Sequence, residues 1–578
     1  MNPSEKYWLT RLESCAKALT KNGFSAIVVD RIEDAANAAA EIIEKLAPRT
    51  IGYADSRTMH RSGILNVIRQ DDRRTLKGGR LIAGYMGIVM ILAGIITMLP
   101  LFTLFFYPEE IGQAQYFVAP GVSAILAGYL MSLVLRGRKA GRLEKNQEMI
   151  VVLGTWIIVI FVTAMPFVLT GNYTVTQAVF ETTSGLSTTG LTVVNTGTAP
   201  HIFLIHRTVL LFFGGIGLVL VMTSVLSDVY GMRLYHAEGH SDRLLPNLIE
   251  SARLVIGIYS GYILAGTLLY VLFGMSLFDA INHAVAALST GGFSTRPESI
   301  GYYHSPAIEM VTIVLMLLGG TNFFVHLLLL KGKWRAFFSH CETRLMLFLL
   351  ALFVPLLTVL LTNSVYGSVP ESIRTALFQA VSALTTTGFQ TVDSFASWTP
   401  AMMFLMILLM LIGGGAGSTA GGLKIYRVYV MLKEIWWKLV RDTYPDRVVF
   451  TEQINRGGRK DTIPDRERKQ INAFVFFYLL LFGAGTFIFC CYGYSLQDSM
   501  FEFASSLGTV GLSVGITAYG ASPVIHWTAI TGMFMGRLEI YVVLIAVVRM
   551  ASDGKKFLRE KRFQAGTSGK RNGKRIES

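Results

Sequence analysis

Four short stretches of this 578-residue chain repeat one pattern, Leu-[Ser/Thr/Gly]-Thr-x-Gly-[Phe/Leu]. They are Leu186-Ser187-Thr188-Thr189-Gly190-Leu191, Leu288-Ser289-Thr290-Gly291-Gly292-Phe293, Leu384-Thr385-Thr386-Thr387-Gly388-Phe389 and Leu507-Gly508-Thr509-Val510-Gly511-Leu512. None holds a nucleophile beside a base, a metal-ligand cluster or paired carboxylates. What each offers is backbone, because glycine permits torsions that a Cβ forbids and lets carbonyls turn inward. Four carbonyl-lined segments around one axis can replace the water shell of a dehydrated monovalent cation. The plainer reading is that small residues let membrane helices pack closely. One copy does not separate the two readings; four copies, each between two apolar spans, favour the filter. The candidate cation-contacting residues are Thr188, Thr189, Gly190 and Leu191, then Thr290, Gly291, Gly292 and Phe293, then Thr386, Thr387, Gly388 and Phe389, then Thr509, Val510, Gly511 and Leu512.

Two further features suit a gate. The run Gly413-Gly414-Gly415-Ala416-Gly417-Ser418-Thr419-Ala420-Gly421-Gly422 interrupts an apolar span. Each glycine costs a helix about 1 kcal/mol relative to alanine, so this run predicts an irregular loop within the membrane. Such backbone is tolerated there only where it faces water or protein. A phosphate-binding loop is the competing motif, but Gly-x4-Gly-Lys-[Ser/Thr] is absent and the flanks are membrane spans; a packing kink remains the simple alternative. In the last span, Gly536-Arg537-Leu538-Glu539 puts charge inside an apolar run. An ionisable group at that depth is expensive and marks function by default. Arg537 is expected to repel a cation until the loop shifts, with Glu539 as counter-charge; the alternative is an ion pair between helices. His326 and Asn322 are read as interhelical hydrogen bonds.

The elements that must position these residues follow from hydropathy. The chain is 52% hydrophobic and 16% charged, with mean hydropathy +0.48. Several apolar runs are long enough to cross a bilayer, so a polytopic membrane protein is predicted. The repeated glycines lie 102, 96 and 123 residues apart, too far for a solenoid and suited to two spans plus a hairpin. Each copy reads as span, short helix, glycine stretch, span. The short helices are Val175–Leu186, Leu277–Leu288, Ser372–Leu384 and Leu496–Leu507, and they are flanked by spans at Met149–Thr170 and Ile202–Ser227, Leu254–Phe273 and Ala307–Leu330, Arg344–Leu361 and Pro400–Lys433, and Ile471–Tyr492 and Pro523–Met550. Two more spans, Arg80–Phe106 and Tyr116–Leu135, precede them, making ten.

The net charge of +14 is not a nucleic-acid signature, because the basic clusters lie between spans and at the C-terminus. Arg136–Glu148, Lys331–Arg335, Lys424–Lys469 and the tail from Arg549 are basic, whereas Arg296 is the only basic residue noted near the glycine mouths. The positive-inside rule then puts both termini in the cytoplasm and opens the glycine stretches outward. No signal peptide is read in Met1–Gln70, and the four cysteines show no zinc spacing. Residues 1–75 form a polar α/β pattern, with a helix near Leu12–Leu19, a strand at Ser25–Val29, a helix at Asp34–Leu46, a strand at Thr50–Ala54 and a helix at Ser62–Arg69.

The four Thr-x-Gly-[Phe/Leu] segments, Gly-Gly-x-Gly-Ser-Thr-Ala-Gly-Gly-x-Lys at Gly414–Lys424 and Gly-Arg-Leu-Glu at Gly536–Glu539 together resemble the TrkH branch of the Trk/Ktr/HKT potassium-transporter superfamily. The resemblance covers about Arg80 to Met550. It implies a pseudo-fourfold pore of K⁺-channel ancestry, K⁺ as the transported ion, selectivity at Gly190, Gly292, Gly388 and Gly511, a homodimer, and a cytosolic nucleotide-binding regulatory partner of the TrkA type. Because Gly190 stands where Na⁺-preferring relatives can have serine, K⁺ preference is expected; Val510, Gly508 and Gly291 depart from the pattern. The N-terminal segment resembles the opening of the lactate-utilisation (LUD) domain through Lys21-Asn22-Gly23-Phe24 and Gly52–Thr58, without a ligand site, and a regulatory or assembly role is expected of it.

The expectation is therefore an all-α polytopic protein of the plasma (inner) membrane, in contact with lipid, made of four pseudo-symmetric repeats after two preceding helices and a small cytosolic α/β module. Its divisions are 1–75, 76–148, 149–250, 251–342, 343–468, 469–550 and a basic tail, 551–578. No organic cofactor, no nucleic acid and no enzymatic activity are expected. A porter coupling K⁺ to H⁺ or Na⁺ finds little support, since no buried carboxylate chain is read beside the filters. A membrane enzyme or receptor using the N-terminal module lacks a catalytic constellation.

Overall fold

The structure, a computed structural model, describes residues 3–21, 28, 34–46, 75–76, 79–135, 139–140, 147–217, 248–445, 451–457 and 459–552. The chain divides into two compact units. The smaller comprises Met1–Gly84 and Leu133–Leu143. It contains α1 (Pro3–Lys21), α2 (Asp34–Leu46) and a parallel pairing of β1 (Thr75–Leu76) with β2 (Lys139–Ala140). Helix α2 has the predicted bounds, because an alanine-rich segment opening on Asp34 favours helix at its N-terminus. Apart from Val28, the strands expected at Ser25–Val29 and Thr50–Ala54, the helix at Ser62–Arg69 and most of the LUD-like residues lie outside the described residues.

The larger unit comprises Tyr85–Ser132 and Glu144–Ser578 and is mostly helical. Its first two helices are α3 (Gly79–Met98, starting in the smaller unit) and α4 (Ala114–Ser132). They cross closely: added Cβ atoms at Gly87 and Gly94 would strike the backbone at Gly128 and Gly121, the small-residue contact expected of membrane helices. Then come α5 (Gln147–Leu169), α6 (Val175–Leu186) and α7 (His201–Ile216). The same sequence of elements recurs as α8 (Leu248–Leu272), α9 (Leu277–Leu288) and α10 (Pro306–Gly319), followed by α11 (Phe323–Leu330) and α12 (Trp334–Ser339). It recurs again as α13 (Cys341–Leu361), α14 (Val369–Leu384) and α15 (Pro400–Ile412), followed by α16 (Ile425–Asp442). A hairpin of β3 (Gln453–Arg456) and β4 (Arg459–Thr462) leads to the last set, α17 (Asp465–Cys491), α18 (Leu496–Gly508), α19 (Pro523–Arg537) and α20 (Ile540–Ser552).

Among the described residues, six helices are long and apolar enough to cross a membrane, or seven if α19 and α20, bent by 102°, form one span. The other three expected spans, at Ile202–Ser227, Ala307–Leu330 and Pro400–Lys433, begin with the shorter apolar helices α7, α10 and α15. The reason is local. Helix α10 stops at Gly319-Gly320, α15 at Gly413 and α19 at Arg537, while α7 closes at Gly217 with φ 96°. A helix of 13–16 residues covers at most about 24 Å, short of a hydrocarbon core of about 30 Å.

The short helices α6, α9, α14 and α18 are the most buried elements, and the core packs around them. Phe378 and Phe389 join Ala284, Phe293 and Met316 in one cluster. The starts of α6, α9 and α18 are set by hydroxyl caps: Thr174 accepts from the Gln177 N–H in a capping box, and Ser276 and Ser495 accept from the Asp279 and Asp498 N–H groups at 3.1 Å.

Candidate functional site

Each of the four glycine stretches begins where one short helix ends. Thr188, Thr290, Thr386 and Thr509 all adopt left-handed backbone, with φ of 56°, 53°, 54° and 52°. The next N–H folds back onto the helix: Thr189 to the Ser184 carbonyl at 2.8 Å, Gly291 to Ala286 at 2.9 Å, Thr387 to Ser382 at 2.9 Å and Val510 to Ser505 at 2.8 Å. Gly190, Gly292, Gly388 and Gly511 then take positive φ, from 58° to 103°. That conformation is uncommon for residues with a Cβ and accounts for glycine at all four.

Interdigitation closes the four segments into a ring. A Cβ on Gly190 would meet the Gly291 carbonyl, one on Gly292 the Thr387 carbonyl, one on Gly388 the Val510 carbonyl, and one on Gly511 the Thr189 carbonyl. Each glycine thus lies against the carbonyl oxygen just before the next glycine, and the fourth contact returns to the first segment. Four helix C-termini lead into this ring, and their partial negative charge favours a cation. The small-residue packing reading holds at other glycines: Gly214, Gly319 and Gly536 bring α7, α10 and α19 against the Leu186, Leu288 and Leu507 carbonyls that end the short helices.

Behind the ring lies a set of anchors that the sequence reading missed. The residue nine before each ring glycine is Glu181, His283, Gln379 or Glu502, and all four are fully buried. Glu181 accepts from the Thr192 hydroxyl at 2.8 Å and the Val193 N–H at 2.9 Å, and it pairs with Arg207 Nε at 2.8 Å. The Arg207 guanidinium also lies 4.0 Å over the Phe293 ring and donates to the Ser294 carbonyl, tying the first segment to the second. His283 lies 2.9 Å from the Ser294 hydroxyl, and Gln379 donates to Thr391. Glu502 accepts from the hydroxyls of Ser513 and Thr517 and the N–H groups of Val514 and Thr517. Asp279, near the start of α9, receives Thr295 at 2.6 Å and Arg296 at 2.9 Å. Three buried carboxylates thus stand behind the ring, each held by its own donors, and Arg207 joins Arg296 as a cation near the mouth. A glutamate at one register in two copies was the available signal.

On the other side of the ring runs the glycine-rich loop. Between α15 and α16 the backbone from Gly413 to Lys424 is irregular, with positive φ at Gly413, Gly417, Gly422 and Lys424. Its Thr419 hydroxyl donates to the Gly319 carbonyl at 2.9 Å and lies 3.0 Å from the Thr290 hydroxyl. The Gly421 N–H donates to the Thr386 hydroxyl at 2.8 Å, and a Cβ at Gly421 would collide with the Thr509 hydroxyl. Gly415 N–H binds the Gly320 carbonyl, Ala416 N–H binds Glu342 at 2.7 Å, and the Gly417 carbonyl receives the Phe323 N–H. Ser418 bonds within the loop to Gly415; Gly414 accepts from Ile425 N–H, and Ala420 accepts from the Lys424 ammonium. The loop therefore underlies three of the four ring threonines.

Arg537 completes this layer. It donates to the carbonyls of Thr419 in the loop and Gly214 in α7. The expected counter-charge is corrected: Glu539 pairs with Arg427 at 2.7 Å, because the bend after α19 turns it toward α16. His326 bonds the carbonyls of Leu318 and Thr321 next to it and reaches Tyr262 of α8 at 3.4 Å. Two cavities flank the layers. One of about 330 Å³ is lined by Gly190, Gly292, Gly388 and Gly511 with Arg207 and Arg296; the other, about 1220 Å³, by Ala416, Gly417, Ser418, Lys424, Arg427, Arg537 and Glu539.

A multi-pass helical membrane protein with a ring of glycine backbone between two cavities is a transporter-like architecture. The chain belongs to the TrkH family of cation transport proteins, which matches residues 114–558. It is 32% identical over 483 residues to the Trk system potassium uptake protein TrkH of Escherichia coli strain K12, covering 81% of this chain and 98% of that protein. It is 33% identical over 472 residues to the uncharacterized cation transporter MJ1485 of Methanocaldococcus jannaschii, covering 79% and 94%. The crystal structure of the potassium transporter TrkH from Vibrio parahaemolyticus matches 81% of this chain and 98% of that one, with a TM-score of 0.71 and 28% identity.

Proposed function

We propose that this chain is a K⁺-selective uptake pore of the plasma membrane, gated by its glycine-rich loop. The observation that carries the reading is the closed ring in which Gly190, Gly292, Gly388 and Gly511 each abut a neighbour's carbonyl. Four pseudo-symmetric repeats, each a span, pore helix, filter and broken second helix, supply one wall each. The cation loses its water at residues 188–191, 290–293, 386–389 and 509–512. The loop and Arg537 form the barrier beneath. Both termini lie in the cytoplasm, so the ring-side cavity opens outward and the loop-side cavity inward. The membrane potential drives uptake, at about 2.3 kcal/mol per charge per 100 mV. The resemblance to Trk systems further supports a homodimer and a cytosolic nucleotide-binding partner that biases the loop, and the same resemblance supports the division at 1–75 and at the four repeats.

The test is flux into proteoliposomes containing the purified chain, with K⁺ and Na⁺ gradients set separately. K⁺ flux that exceeds Na⁺ flux and reverses at the K⁺ potential is expected. Reversal displaced by a proton or Na⁺ gradient would favour the coupled porter. If the intact protein is silent, removing residues 413–422 is expected to restore flux; continued silence tells against the pore. A milder change probes the same loop. Glu342→Ala removes the acceptor for the Ala416 N–H, a charge-assisted bond of about 1.5–3 kcal/mol. Basal flux without a partner should rise severalfold, measured in the same vesicles.

A further inference from the structure

We propose that Glu502 sets cation affinity by charge: its buried carboxylate supplies one uncancelled negative charge to the ring wall. The inference rests on reading the ring as a cation filter. Three carboxylates lie behind the ring, and they are not equally compensated. Glu181 is paired with Arg207 at 2.8 Å, both essentially buried, and Asp279 with Arg296 at 2.9 Å. Among the described residues, no Lys, Arg or His pairs with Glu502. Its partners are all donors: Ser513 Oγ at 2.8 Å, Val514 N at 2.8 Å, Thr517 N at 3.1 Å and Thr517 Oγ1 at 2.6 Å. Two of these are backbone N–H groups, one on each carboxylate oxygen, so both oxygens are held as acceptors.

Ser513 and Thr517 also line the ring-side cavity. The charge therefore sits one side chain behind the space a cation crosses, inside a protein wall where electrostatic interactions reach further than in water. At the matching register, His283 and Gln379 provide no carboxylate, and Glu181 is offset by Arg207. The wall's field is thus lopsided, strongest at the fourth segment.

The experiment is K⁺ and Na⁺ binding to the purified full-length protein, followed by calorimetry, which needs no open gate. Glu502→Gln keeps the shape and removes the charge; Glu502→Asp keeps the charge and disturbs the hydrogen bonds. The Kd for K⁺ is expected to rise about tenfold in the Gln variant and to stay within about threefold of the parent in the Asp variant. A purely structural anchor gives the opposite order, with Asp the worse, and overturns the proposal, as does an unchanged Kd in a folded Gln variant. If Glu502→Gln does not fold, Glu181→Gln takes its place: it leaves Arg207 uncancelled on the same cavity and must weaken K⁺, and no change there also overturns the proposal. Parent protein that binds K⁺ no better than Na⁺ would count against the filter reading itself, whereas a K⁺-selective parent with insensitive variants counts against Glu502 alone.

Discussion

Gly388→Ser should abolish the preference for K⁺ over Na⁺ and cut K⁺ flux at least about tenfold. Gly388 has φ 84°, and its Cβ position is occupied by the Val510 carbonyl, with the Gly511 Cα at 2.8 Å and the Val510 carbonyl carbon at 2.9 Å. The left-handed torsion alone costs a residue with a Cβ about 1–2 kcal/mol. The clash is with backbone, which has no rotamer through which to escape. The serine must therefore push the fourth segment's carbonyl away from the ring or rotate its own. Either change breaks the ring at one corner, and on the proposed filter a cage that no longer fits one dehydrated ion discriminates poorly between two. Separate K⁺ and Na⁺ flux measurements on the purified variant check this. Retained selectivity would remove the third segment from the filter.

Arg537→Ala should act in the opposite direction and raise basal K⁺ flux tenfold or more. The guanidinium bridges the Thr419 carbonyl of the loop and the Gly214 carbonyl of α7, joining elements far apart in sequence beneath the ring. Charge-assisted bonds of this kind contribute about 1.5–3 kcal/mol each. Losing them frees the loop from its tie to the first repeat and, on the proposed pore, also removes a positive charge from the cation's path. Glu539 does not take over, since it is held by Arg427, itself stacked 4.0 Å over Phe474. Unaltered basal flux in vesicles, with unaltered response to potential, would show that the barrier lies elsewhere.

Much of the site is legible along the chain because its determinants are local. The short helices α6 and α9 begin and end where a capping hydroxyl and a Leu-Ser-Thr stop place them, and α14 and α18 differ from expectation by three residues at one end and one at the other. The break at Gly413 follows from consecutive glycines. The breaks at Gly320 and Arg537 do not, because hydropathy averages over a window and passes across two or three irregular residues without registering them. That is why two of the expected spans, Ala307–Leu330 and Pro523–Met550, contain breaks that hydropathy does not register.

The sequence by itself determined a polytopic helical protein with four equivalent glycine segments, one glycine-rich interruption and a charge beside the last break. Those features rest on composition, periodicity and the torsional freedom of glycine, all properties of neighbouring residues. Only the tertiary structure decided that each glycine meets the next segment's carbonyl, that Glu539 turns to Arg427 while Arg537 takes carbonyls, and that Arg207 cancels Glu181 but nothing described cancels Glu502. A buried charge is satisfied by whatever the fold brings within about 3 Å, and partners up to a hundred residues and more away leave no periodic trace in the chain.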